Sequence, residues 1–67
     1  NSIIKAISAT ENIKAIQVYD LLGKLIFGKN NINQKQFTIT DIVPGNQALI
    51  IKTKLENNQT VVKKLVY

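Results

Sequence analysis

The fold of this chain depends mainly on three consecutive segments: ALIIKTKL at Ala48–Leu55, ENNQ at Glu56–Gln59 and TVVKKLVY at Thr60–Tyr67. The two outer segments are rich in β-branched and apolar residues, which favour strands, and the polar tetrapeptide between them is typical of a hairpin loop. ALIIKTKL is the most apolar strand, so we expect it to be central. Both strands place apolar residues at adjacent positions, and hence on both faces, which favours two packed sheets over one open sheet.

The rest of the chain also follows a period of two residues, as strands do, and has no helical stripe. We therefore predict four further strands, at Ser2–Ala9, Ile13–Tyr19, Leu25–Gly28 and Gln36–Thr40. Strict alternation places Ile16 and Val18 on one face of the second strand and Ile13 on the other. In the fourth strand it turns Phe37 and Ile39 inward.

Turn residues separate these strands. We predict a hairpin loop at Asp20–Lys24, in which Gly23 adopts a positive φ and the Asp20 side chain caps the turn. Pro44 and Gly45 are predicted at the two central positions of a type II turn. Together these signals predict one domain, residues 1–67, folded as a small all-β antiparallel β-sandwich of the immunoglobulin-like or Greek-key kind, with about six to seven short strands.

The composition argues against an enzyme. The chain has no His and no Cys, and its only carboxylates are those of Glu11, Asp20, Asp41 and Glu56. General acid–base catalysis and zinc binding rely mainly on these residue types in close groups. We therefore expect no catalytic residue, no cofactor and no metal site.

The charge is +5 and comes from nine lysines without any arginine. Arg is the preferred residue for bidentate contacts to phosphates and bases, and the lysines are scattered along the sequence, so nucleic acid is not the expected partner. No apolar run approaches the roughly 18 residues of a membrane span, which gives no expectation of direct membrane insertion. A small adhesive or carbohydrate-binding sandwich is the alternative interpretation. Sugar binding normally uses exposed Trp or Tyr side chains, however, and the chain has no Trp and only Tyr19 and Tyr67.

The last strand is the candidate recognition element, namely Lys63, Lys64, Leu65, Val66 and Tyr67. Alternation puts Lys63, Leu65 and Tyr67 on one side and the other two residues on the opposite side, so one lysine points away from the core while the other lies at its rim. An exposed strand offers unpaired N–H and C=O groups that a partner can use by strand addition. The plainer reading is an ordinary strand with solvated lysines.

Three blocks of the sequence resemble a known family: Val18–Lys24, Gly45 with Leu49–Thr53, and the basic strand Lys63–Tyr67. In their order and spacing they are similar to the C-terminal sorting domain of the type IX (Por) secretion system of Bacteroidota, in its type A form. The likeness covers nearly the whole chain. Lys24, exposed beside the turn glycine, is a further candidate for the partner face.

The resemblance implies a role in transport. A domain of this family directs a cargo protein across the outer membrane and is recognised as a folded unit by the type IX translocon and its outer-membrane shuttle β-barrel. A sortase-like cysteine peptidase then typically removes it. The implied location is the periplasm in transit, followed by the cell surface or the extracellular space.

The chain departs from the family pattern in two places. The family usually opens with a Tyr-Pro-Asn-Pro strand, which is missing before Ser2, and it often has an aromatic residue where Asn46–Ala48 stands here. The sequence starts at Asn1 rather than Met, so we expect it to be a piece of a longer precursor. We expect this piece to start just after the first strand of the domain and therefore to lack that strand. We therefore do not expect a bulky aromatic side chain to have a role in the segment Asn46–Ala48 that follows Gly45.

Overall fold

The computed structural model describes residues 3–67 and is all-β. Its six strands are β1 (Ile4–Ile7), β2 (Ile13–Asp20), β3 (Leu25–Lys29), β4 (Gln36–Ile39), β5 (Ala48–Leu55) and β6 (Thr60–Val66). The predicted strands are confirmed to within a few residues at their ends. The predicted start of the first strand at Ser2 lies outside the described residues.

The strands form two antiparallel sheets. One sheet has two strands, β1 and β4, and the other has four strands in the order β3-β2-β5-β6. The apolar strand β5 lies between β2 and β6, so its predicted interior position is confirmed. β6 and β3 are the two edges of the larger sheet. The predicted small antiparallel two-sheet architecture is therefore the observed one.

The two sheets enclose a core of branched aliphatic side chains. Its fully buried members are Ile13, Ile16, Ile39, Leu49 and Val18. The predicted inward direction of Phe37 agrees with its packing against this core, where its ring centroid lies 6.2 Å from that of Phe27 on the other sheet. This tilted pair joins β4 to β3. Burial of each large aliphatic side chain contributes about 1.5–3 kcal/mol relative to exposure, which is how so short a chain folds without a disulfide.

The predicted face of Ile13 is wrong. Ile13 is fully buried together with Ile16 and Val18, because the β2–β5 register shifts between Ile13 and Ala15. A bulge inserts one extra residue into a strand, so side chains three positions apart can share a face. Strict alternation cannot represent such an insertion.

The two turns predicted from glycine differ in outcome. Gly23 has a φ of 87°, and the Asp20 carboxylate accepts hydrogen bonds from the N–H groups of Leu22 and Lys24, both at 2.9 Å, as predicted. The type II turn at Pro44 and Gly45 is wrong, because that turn needs a positive φ at its third residue and Gly45 does not have one. The positive φ of this region, 54°, belongs to Asn46.

The loop between β3 and β4 is attached to the start of β2. The Ile32 N–H donates to the Lys14 carbonyl at 3.1 Å, and the Ile13 N–H donates to the Gln34 carbonyl at 2.7 Å. These bonds hold Ile32, the one apolar residue of the loop, in the core at 8% exposure. The loop therefore pairs with the start of β2 on its way from β3 to β4.

Candidate functional site

The candidate recognition strand is an ordered part of the larger sheet up to its last residue. Beyond β6, the Tyr67 N–H donates to the Gln47 carbonyl at 2.8 Å. The main-chain oxygen of Tyr67 accepts from the N–H groups of Gly45 at 3.0 Å and of Gln47 at 3.2 Å. The turn that contains Pro44 and Gly45 is thus tied to the end of the chain, which sequence spacing alone did not indicate.

The Tyr67 side chain is half-buried and packs against the core. Its hydroxyl oxygen is buried and has no hydrogen-bond partner in the described part of the chain. The ring therefore acts as an apolar anchor for the end of β6. Backbone hydrogen bonds and the ring together hold the residues after β6 against the rest of the domain.

Among residues 3–67, no strand pairs with the outer edge of β6, so the backbone groups along that edge have no partner there. Gln47 and Tyr67 exchange hydrogen bonds in both directions, and the Leu55 N–H donates to the Gln59 carbonyl at 2.8 Å in the same β5–β6 register. Backbone groups alternate in direction along an antiparallel strand, so the odd-numbered residues of β6 bond to β5. The N–H and C=O groups of its even-numbered residues, among them Val62 and Lys64, consequently point away from the sheet.

The two terminal lysines point to opposite sides of the sheet. Lys63 is paired with the buried Ile51 and lies on the inner side, at the rim of the core. Lys64 is paired with Ile50 on the outer side, and both lysines are exposed. On the inner side Leu65 is half-buried, whereas Val66 on the outer side is 71% exposed. The predicted division of these side chains between a rim and a solvent face is therefore observed.

The outer face of the larger sheet collects lysines that are scattered in the sequence. The strand register places Lys52, Lys54 and Lys64 on this face, on two neighbouring strands. Lys52 Nζ lies 5.2 Å from the centroid of the Tyr19 ring, and the Tyr19 hydroxyl donates to Gln17 Oε1 at 3.1 Å. A cation over one ring face leaves Tyr19 poorly suited to stack on a sugar.

Lys24 does not join this group. It precedes β3, and β2 and β5 separate β3 from β6 in the sheet. Its N–H group is held by Asp20 in the hairpin turn, while its side chain is exposed. If Lys24 contacts a partner, it does so from the opposite edge of the sheet.

A groove of about 370 Å³ lies between β1, with the residues that follow it, and the inner face of β5 and β6. We call it the edge groove. Ile51, Leu55 and Val61 give it an apolar lining, and Lys5 and Lys63 are the charged residues that border it. It lies at the side of the sandwich where β6 extends beyond the smaller sheet. Nothing in the sequence indicated it, because it depends on which strands the two sheets leave uncovered.

The part of the chain described by the structure offers no constellation for metal binding, since it contains no group of three or more His, Cys, Asp or Glu side chains able to hold an ion. Over the same residues, no helix is long and apolar enough to cross a membrane.

The fold and these surfaces define a small all-β domain with a basic, open-edged sheet. A family model described as a domain of unknown function (DUF8694) matches residues 1–67, and the chain belongs to that family. No curated protein matches it.

Proposed function

We propose that this chain is a non-enzymatic sorting module that directs a cargo protein across the outer membrane through the type IX secretion system. The proposal combines the resemblance of its three sequence blocks with the state of its last strand. β6 is hydrogen-bonded to its neighbours as far as Tyr67, and within the described part of the chain it pairs with β5 alone. In this proposal the translocon and its shuttle β-barrel recognise the outer edge of β6, and a sortase-like peptidase then removes the domain outside the cell.

The observation that carries the proposal is the combination of anchoring and exposure in one strand. A loose terminus would have to be ordered on binding, at a cost of about 1–2 kcal/mol for each residue. β6 is already extended, with Val62 and Lys64 directing their backbone groups outward. A partner strand would therefore meet a preformed edge flanked by two ammonium groups.

The first test is truncation of a secreted fluorescent fusion that carries this domain. Deleting Lys63–Tyr67 is expected to leave the cargo in the periplasm, and export of the truncated fusion at the normal level would refute the docking role. Because this deletion also removes part of the sheet, a second variant is needed whose fold is kept.

Lys64→Pro provides that variant. The Lys64 N–H points away from the sheet, so proline removes a free donor without removing a bond to β5, and edge strands tolerate proline at such positions. Lys64→Gln is the matched control, since it keeps the N–H and removes only the charge. We expect Lys64→Pro to fold, as judged by circular dichroism, and to lose export. Export of the folded Lys64→Pro fusion at the level of the unchanged fusion would exclude recognition through the edge of β6.

A further inference from the structure

The smaller sheet also has a free edge, and this edge borders the edge groove. Among the described strands β1 pairs only with β4. The Ser8 N–H donates to the Lys35 carbonyl at 2.7 Å and continues the β1–β4 register, so the even-numbered residues of β1 bond to β4. The N–H and C=O groups of Lys5 and Ile7 consequently point away from β4, on the side of the groove.

The smaller sheet leaves apolar surface of the larger sheet uncovered. Val61, on the inner face of β6, is 44% exposed, and Ile7 across the groove is 69% exposed. A third strand placed beside β1 would lie over the inner face of β6 and cover Val61. It would also convert a two-stranded ribbon, which is a weak arrangement by itself, into a three-stranded sheet.

The charged residues around the edge groove indicate which kind of partner it would bind. Lys5 and Lys63 border it, and none of the described residues that line it carries a carboxylate. A second copy of this chain carries a charge of +5 and is electrostatically unsuited to the site. An extended segment with apolar side chains on one face and carboxylates on the other or at its ends would match both the lining and the lysines.

We propose that the edge groove binds an acidic extended segment of a partner protein, which adds as a strand to the free edge of β1. Backbone hydrogen bonds to Lys5 and Ile7 supply the register, the apolar face of the segment packs on Val61 and Ile51, and the carboxylates on its opposite face approach Lys5, which points away from the core. This site is distinct from the outer edge of β6, and the inference stands whether or not the chain acts in secretion.

The test is an NMR titration of the ¹⁵N-labelled 67-residue chain with the capped peptide acetyl-TVEVEVT-amide. Its controls are the same peptide with Gln in place of Glu, and a Glu peptide whose alternate backbone nitrogens are methylated. Because the two candidate edges have different free amides, hydrogen exchange distinguishes them. Strand addition to β1 slows exchange at Lys5 and Ile7, whereas addition to β6 slows it at Val62 and Lys64.

We expect saturable binding of the Glu peptide with protection at Lys5 and Ile7. Each cross-strand charge pair contributes about a 1.5- to 5-fold change in affinity, so the Gln peptide should bind roughly threefold or more weakly. Lys5→Glu should weaken binding of the Glu peptide by a similar factor, whereas Lys29→Glu on the distant strand β3 should not. Both substitutions are at exposed positions, so the fold is retained.

Several results would overturn the proposal. They are the absence of saturable shifts at millimolar peptide, equal affinity for the Glu and Gln peptides, unchanged binding of the methylated peptide, and protection confined to Val62 and Lys64. A dimer in sedimentation experiments with Lys5 and Ile7 already protected would assign the groove to a second copy instead. Loss of export in the Lys64→Pro fusion tests the β6 edge separately, so failure at one site does not imply failure at the other.

Discussion

Tyr67→Phe should stabilise the fold, although it removes a polar group from the residue that anchors β6. The Tyr67 hydroxyl is buried without a hydrogen-bond partner among the described residues, while the ring packs against the core. A buried polar group that loses its contacts with water and gains none in the protein costs about 1–3 kcal/mol. Phe keeps the ring and removes that cost. Taking the low end, because the residue as a whole is only half-buried, we expect the free energy of unfolding to rise by about 1 kcal/mol.

Urea denaturation followed by circular dichroism measures this change. For a small domain with a urea dependence of about 1 kcal/mol per molar, the midpoint should rise by about 1 M, and the melting temperature by about 4–8 °C. Tyr19→Phe is the matched control, because its hydroxyl is bonded to Gln17 on the exposed face and its removal should change stability by less than about 0.5 kcal/mol. A lower midpoint for Tyr67→Phe would mean that the hydroxyl is hydrogen-bonded in solution, and the reasoning would be wrong.

Three further predictions concern turns and core. Gly23→Ala should lower the free energy of unfolding by about 1–2 kcal/mol, because the φ of Gly23 is 87°. Gly45→Ala should raise it by about 0.4–1 kcal/mol, because the φ of Gly45 is not positive and nothing lies within 4 Å of the added Cβ. Chemical denaturation of both variants tests the sign of each change. Asp20→Ala should lower the free energy of unfolding by about 1 kcal/mol, because two turn hydrogen bonds are lost. Asp20→Asn should retain most of that stability, since Asn keeps an acceptor. Equal melting temperatures for the two variants would contradict this. Leu49→Ala should cost about 2–5 kcal/mol, comparable to a total stability of about 3–10 kcal/mol for a domain of this length, so circular dichroism should show it largely or partly unfolded.

The regular elements were predictable from the sequence because they depend on local patterns. β5, the ENNQ loop and β6 follow from apolar runs separated by a polar tetrapeptide, and the Asp20 cap follows from turn chemistry that acts over four residues. These features need no knowledge of neighbouring strands. The small two-sheet architecture was also predicted, but not for the right reason: Val62 and Val66 on the outer face of the larger sheet are 57% and 71% exposed, so only the inner face is covered by the second sheet.

The errors arise where distant parts of the chain determine local geometry. The bulge after Ile13 exists because the β3–β4 loop bonds to the start of β2, and the three-residue spacing of Ile13 and Ile16 was its only signal in the sequence. Near Pro44, the residue with a positive φ is Asn46 and not Gly45. Asn46 lies between Gly45 and Gln47, whose N–H groups both donate to the main-chain oxygen of Tyr67. The edge groove and the shared face of three lysines depend on strand order, which local patterns do not contain.

The placement of Lys63 and Lys64 on opposite sides of an open strand has a consequence for solubility. If two molecules approached edge to edge through β6, their ammonium groups would be brought together on both surfaces of the new sheet and would repel each other. The valines beside them have the composition of a fibril-forming segment, and the lysines interrupt it. A chemical change that neutralises both amines, such as acetylation, would remove this repulsion and leave an aggregation-prone rim.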